Sequence, residues 1–348
     1  MSSRRSVWAA FAALLLSAVA ASCLLGSVPI PVSDLAWGLV RRLHLLSWVG
    51  SATEPRAETP AATIFFALRL PRVLLAVVCG ASLSFSGGVM QGVFRNPLAD
   101  PYILGQAGGA SLGAALVVLA GAGGSLLWLP LGAFAGAFAV TLALLLLSEF
   151  WAQLYFDPGS LILVGVALGS MCSALTGIVL FAGQTDQTGS LVFWLFGSFS
   201  ASQWSQLAVF TLLAVPTVAG LLRHTRALDL LALGDLMALH LGIEVSAHKR
   251  RLLLLSSVLT ALVVAVAGAI GFVGLVVPHI VRRLLGPTHK KLLVASVLLG
   301  GAFLPLCDAL ARTLFAPVEI PVGIITALVG VPFFVSLLLR RVRGVSEC

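Results

Sequence analysis

Charged and polar side chains are rare enough in this chain that each can be weighed by its position. Asp308 and Arg312 stand four apart, the spacing of an ion pair on one helix face, and read as a structural pair. Arg69 and Arg72 bracket Leu-Pro and share one face or one turn, with Pro71 setting the start of a helix. His279 follows Pro278 and could bind a metal or relay a proton. With no carboxylate or thiolate beside it in sequence, it reads as a packing residue. Gln91, Asn96, Asp100 and Thr176 complete the polar residues lying within apolar runs. They form no acid–base pair or activated nucleophile, so an intramembrane enzyme is disfavoured.

Other chemistries are excluded by what is missing from the sequence. The lysines are Lys249, Lys290 and Lys291, and none follows a glycine, so there is no phosphate-cradling loop ending in Gly-Lys-Ser/Thr. If ATP drives this protein, its site belongs to another polypeptide, and no cofactor is expected on this chain. Cys23, Cys79, Cys172, Cys307 and Cys348 lie far apart and read as small core residues, with no metal site expected.

These side chains must be held by elements that live in lipid. Of 348 residues, 59% are hydrophobic and 10% are charged, far too few charges to cover a water-soluble body. The net charge of +8 comes from basic residues dispersed at the ends of apolar segments, which points to membrane orientation and away from nucleic acid. A spanning helix needs about 20 apolar residues, so the length accommodates on the order of ten spans and no sizeable soluble domain.

Arg4 and Arg5 precede an apolar run that predicts a first helix over 7–28. The Ala-Ala-Ser-Cys ending at Cys23 is only a faint lipoprotein signal, and a retained helix is expected. Further spans are predicted over 64–94, 98–118, 126–147, 161–182, 206–222, 252–270, 272–285, 292–314 and 322–339, the 272–285 run being short. The run 191–200 suits only a half-helix or surface helix. With the N-terminus inside, fifteen of the twenty-one Lys and Arg fall inside, and both termini are cytoplasmic. Arg41, Arg42, Arg56, Arg69, Arg72 and Arg312 fall outside. Outer-end arginines can snorkel to lipid phosphates, but three together suggest docking of an acidic partner.

Glycines four apart, at Gly105, Gly109 and Gly113, at Gly132 and Gly136, and at Gly165 and Gly169, predict close helix packing. The largest inner loop, 223–251, is too apolar for a solvated connector. In it Asp235 can cap a short helix that Gly242 ends, exposing Leu236, Met237 and Leu239 to the membrane surface or to a partner's socket.

Several strings closely resemble the iron-chelate and cobalamin permease family of FecCD type. They include Arg69-Leu-Pro-Arg72, the segment from Gln91 through Asn96-Pro-Leu-Ala-Asp-Pro101, Leu230-Leu-Ala-Leu-Gly234, the segment from Gly268 to His279, and Glu319-Ile-Pro-Val-Gly323. The resemblance implies one all-α polytopic permease domain over 1–348, the bundle of a type II ABC importer, with a family core over 64–340. Such subunits pair around a central pathway, sit on two ATPase subunits and receive cargo from a substrate-binding protein, in the bacterial cytoplasmic (inner) membrane. It matches Arg69, Arg72 and Arg312 to arginines that engage the binding protein. Ala232, Leu233, Gly234, Asp235, Leu236, Leu239 and Gly242 match the segment that couples to the ATPase. The fifth and tenth spans would line the pathway, with an inner gate at the turn Asp157-Pro158-Gly159-Ser160 before the fifth. Cargo is then a bulky metal chelate, ferric siderophore first, with haem and cobalamin as alternatives. The rival from another class is an ion-coupled secondary transporter, which would need ionisable residues within its spans.

Overall fold

The structure, a computed structural model, describes residues 2–26, 60–125, 127–150, 158–182 and 188–346, and among these there is no β-strand. The helices in chain order are α1 (Ser2–Leu24), α2 (Pro60–Val93), α3 (Gln106–Leu119), α4 (Trp128–Phe150) and α5 (Pro158–Ala182). Then come α6 (Thr188–Leu195), α7 (Trp204–Arg223), α8 (Thr225–Leu231), α9 (Asp235–His240) and α10 (Val245–Ala267). The chain closes with α11 (Val273–Leu285), α12 (His289–Thr313) and α13 (Val322–Ser346). Eight of them, α1, α2, α4, α5, α7, α10, α12 and α13, are long and apolar enough to cross a bilayer.

Short α3 and α11, of 14 and 13 residues, occupy the remaining two expected spans. The run 98–118 is not one span as expected. Asn96-Pro97 and Asp100-Pro101 break it, a 3₁₀ turn covers Pro101–Leu104, and Gly105 adopts φ +80°, so the helix starts only at Gln106. Asn96 and Asp100 are therefore turn residues: Asn96 Oδ1 accepts from Leu98 N at 3.0 Å and Asp100 Oδ1 from Tyr102 N at 2.9 Å. The half-helix expected at 191–200 is α6, and Gly268 at φ +70° ends α10 before 270.

Pro71 does not start a helix. Helix α2 continues back to Pro60 through a π turn at Phe65–Arg69, just before the proline whose ring cannot donate to the preceding turn. This long helix is the axis of the bundle, packed on α12, α10 and α11, with α1 lying mainly against α12 and touching α2 as well. Its inward face is built of Gly80, Ser84, Ser86 and Gly87. A Cβ added at Gly80 would strike the Gly300 carbonyl of α12, and one at Gly87 would strike the Gly274 carbonyl. Ser86 Oγ reaches both Ser256 O and Thr260 Oγ1 of α10 at 3.0 Å. Lipid tails are as apolar as leucine, so such backbone approach and interhelical hydrogen bonding is what holds spans together.

The predicted glycine ladders meet one another. Gly109 and Gly113 of α3 face the backbone of Gly136 and Gly132 of α4, and Gly105 lies against Gly165 and Gly169 of α5, so α3 is wedged between α4 and α5. Gly136→Val should prise α3 from α4 at a cost of about 1–3 kcal/mol, typical of overpacking. A lower thermal midpoint in detergent, beside an unaffected Gly124→Val on open space, is the expected outcome.

Candidate functional site

The two most specific strings form one inner motif. Pro278 in α11 has no N–H to give the carbonyl of Gly274, four residues back. Gln91 of α2 fills that role from outside, its Nε2 reaching Gly274 O at 3.4 Å and Leu275 O at 3.2 Å. Arg282 Nη2 donates to Gln91 Oε1 at 3.2 Å, and Pro101 packs on Gly274. Asp100, in the adjoining turn, has its carboxyl pushed up to about 6 by burial, against the Tyr102 N–H that favours the anion. His279 stands ring-edge to Phe333 of α13 at 5.9 Å. Among the described residues no cluster of His, Cys, Asp or Glu could hold a metal ion.

At the end of the bundle where α1 finishes, the three arginines point into the protein. Arg72 grips Asp308 with Nη2 at 2.9 Å and Nε at 3.0 Å, and its Nη1 holds Glu319 at 2.8 Å. Arg312 Nε lies 3.0 Å from the same Asp308, confirming the pair read from i, i+4 spacing. Arg312 Nη2 also donates to Ser22 O at 3.0 Å, and Arg69 Nη1 to Cys23 O at 3.2 Å. Both thus satisfy carbonyls in the last turn of α1, which a helix end leaves without intrahelical donors. Ser22 Oγ in turn donates to Pro305 O, so α1 is an integral part of the bundle. Arg69 and Arg312 are buried, while Glu319 keeps 30% of its side chain exposed. Together with Ser200 and Ser202 these groups line an outer cavity of about 350 Å³. Arg41, Arg42 and Arg56 lie outside the described residues.

At the inner end the loop between α7 and α10 folds into α8 and α9. Asp235 is the first residue of α9 and not its cap; Gly234, at φ +111°, takes the cap position. Gly242 ends the helix as expected, in a Schellman turn where Ile243 N reaches Ala238 O and Gly242 N reaches Leu239 O. The Asp235 carboxylate instead binds Lys249 Nζ of α10 at 2.6 Å, with Arg95, in the turn just past α2, at 3.8 Å. Asp229 of α8 takes both the backbone N and the Nδ1 of His289, at the head of α12, at 2.8 and 2.7 Å. Ala238 is buried, but Leu233, Leu236 and Leu239 are 64%, 77% and 57% exposed, beside exposed Ala232 and Met237. An apolar knob is thereby fastened to the spanning helices α10 and α12.

Sequence reading singled out Asp235 but missed Lys249, Asp229, His289 and Glu319 as its counterparts at the two ends. Asp229 and Asp235, two of the three acids in a leucine-rich loop, were the available signal. Of the gate segment, Asp157 lies outside the described residues, and Pro158, Gly159 and Ser160 form the first turn of α5 in place of a turn before it.

The FecCD transport family matches residues 14–340. The chain is 44% identical over 288 residues to the "Hemin transport system permease protein HmuU" of Yersinia pestis, covering 80% of this chain and 84% of that one. It is 40% identical over 277 residues to the "Vitamin B12 import system permease protein BtuC" of Salmonella arizonae, covering 79% and 83%. A solved metal-chelate type ABC transporter in an inward-facing conformation superposes with TM-score 0.78 at 31% identity, covering 96% of this chain and 99% of that one.

Asp308→Asn should leave Arg72 and Arg312 facing one another without their shared anion. Breaking a buried pair costs about 3–5 kcal/mol, so thermal unfolding in detergent should shift down well beyond that of the exposed-site control Lys291→Gln.

Proposed function

The chain belongs to the FecCD transport family and is a multi-pass permease of an ABC importer for metal chelates, and we propose that it works as a homodimer driven by two separate ATPase subunits and fed by a substrate-binding protein. The apolar knob of α8 and α9 carries this reading. Each leucine gains about 1.5–3 kcal/mol on full burial, and the Asp235–Lys249 ion pair to α10, with the Asp229–His289 hydrogen bonds to α12, fastens the knob to the spanning bundle. A groove on an ATPase subunit suits a rigid knob, whereas a helix resting on lipid needs no such fastening. ATP then acts on the partner, and this chain needs no cofactor.

The second copy would meet α5 and α13, whose apolar side chains Leu163, Met171, Leu328 and Val335 are exposed, and the pathway would run along that two-fold axis. Its inner narrowing would fall at the first turn of α5, Pro158 to Ser160. The host membrane is the bacterial cytoplasmic (inner) membrane, with both termini inside. Haem or cobalamin suits the cargo better than ferric siderophore, since hemin and vitamin B12 are what the two curated relatives are named for, and both are metal macrocycles. Identifying the chelate that co-purifies with the binding protein decides among them.

The outer docking role of Arg69, Arg72 and Arg312 takes a modified form. Arg69 and Arg312 are committed to α1, so a carboxylate of the binding protein would compete with Glu319 for Arg72. Glu319→Gln should therefore tighten the permease–binding-protein complex severalfold at low salt and steepen its salt dependence. An unchanged affinity would leave the arginines a purely internal brace.

Leu236→Ser combined with Leu239→Ser should leave folding in the membrane intact while the ATPase subunits dissociate or lose ligand-stimulated hydrolysis. Retention of both properties would withdraw the coupling assignment and favour a lipid-resting helix.

A further inference from the structure

Between α11 and α13, toward their inner ends, lies a cleft of about 310 Å³ that the transport cycle above does not use. Its floor is apolar, made by Ile280, Leu284 and Phe333. Its polar edge is His279, Arg283 and Ser336. Arg283 is exposed and makes no ion pair or hydrogen bond among the described residues. His279 Nδ1 is buried and has no hydrogen-bond partner among them. One free guanidinium and, one helical turn away, one orphaned ring nitrogen thus border an apolar slot.

We propose that this cleft binds the headgroup phosphate of an anionic phospholipid from the inner leaflet, with an acyl chain lying along Leu284 and Phe333. Three observations select this occupant. The basic ends of α11 and α13, with Arg282, Arg283 and the following Arg340, Arg341 and Arg343 in sequence, face inward by the positive-inside count. Basic pockets between spanning helices on that side are suited to anionic headgroups. The lining is also amphipathic along its length, as a lipid is and a free phosphate is not. Arg283 offers the phosphate a two-pronged charge-assisted contact, and a protonated Nδ1 of His279 would donate a further bond. Bound lipid would join the short helix α11 to α13, which otherwise meet over a small area.

The test uses the full permease, reconstituted in nanodiscs of equimolar phosphatidylglycerol and phosphatidylcholine, then released and weighed by native mass spectrometry. Wild type should retain phosphatidylglycerol in preference to phosphatidylcholine. Arg283→Gln should cut that retention roughly tenfold or more, Arg283→Lys should keep most of it, and Lys291→Gln, exposed on α12 away from the cleft, should not alter it. Melting of Arg283→Gln in phosphatidylcholine alone should equal that of wild type, which separates lipid loss from misfolding. Equal retention by Arg283→Gln, or equal retention of the two lipids by wild type, would overturn the proposal. Displacement of the lipid by added haem would also overturn it, by assigning the cleft to cargo.

Discussion

Everything in this structure depends on how closely the backbone of α2 is allowed to approach its neighbours. In a bilayer the hydrophobic effect drives each helix into lipid but does not hold one helix against another. What remains is dispersion between surfaces in contact, and that contact is closest where no side chain intervenes. Gly80 against Gly300 and Gly87 against Gly274 supply that approach on α2, as Gly109 against Gly136 does on α3. Ser86 adds hydrogen bonds to α10 in a medium that offers no competing water. The closest helix contacts are therefore made by small residues, while large side chains such as Leu75, Leu83, Phe85 and Met90 of α2 fill the interior between those contacts.

Once α2 is the axis, it also becomes the link between the two faces. Arg72 near its outer end binds Asp308 of α12, and Arg95 just past its inner end approaches Asp235 of α9. Helix α12 carries a parallel link, with Asp308 and Arg312 outside and His289 inside, bonded to Asp229 of α8. Two tightly packed helices thus join the Arg72–Asp308 end of the bundle to the apolar knob of α8 and α9. A displacement of the apolar knob must shift one of them or break a buried ion pair.

Charges buried in lipid are expensive unless paired and usually mark a pathway. Here the outer charges answer a different need. The last turn of α1 leaves carbonyls without donors, and Arg69 and Arg312 supply them. The Arg312 guanidinium shares the Asp308 anion with Arg72, which also holds Glu319. Gln91 does comparable work at the inner motif, bonding a carbonyl that Pro278 leaves open. Polar residues that look functional from their rarity are therefore largely repairing the backbone, and the family motifs containing them specify architecture before cargo.

Membrane class, the all-helical bundle and the places of most spans were legible in the sequence. Apolar run length, the positions of Lys and Arg, and glycine spacing are local properties that the bilayer reads directly. Even the Asp308–Arg312 pair was legible, because helical spacing alone brings its members together. Only the tertiary structure could decide that Asp308 serves two arginines, that Asp235 binds Lys249 instead of capping its own helix, and that the outer arginines turn inward. Lys249 lies 14 positions from Asp235, and Arg72 lies 236 from Asp308. No helical period relates such pairs. They meet because helices distant in the chain were packed side by side, and a buried charge bonds whatever opposite charge that packing delivers to it.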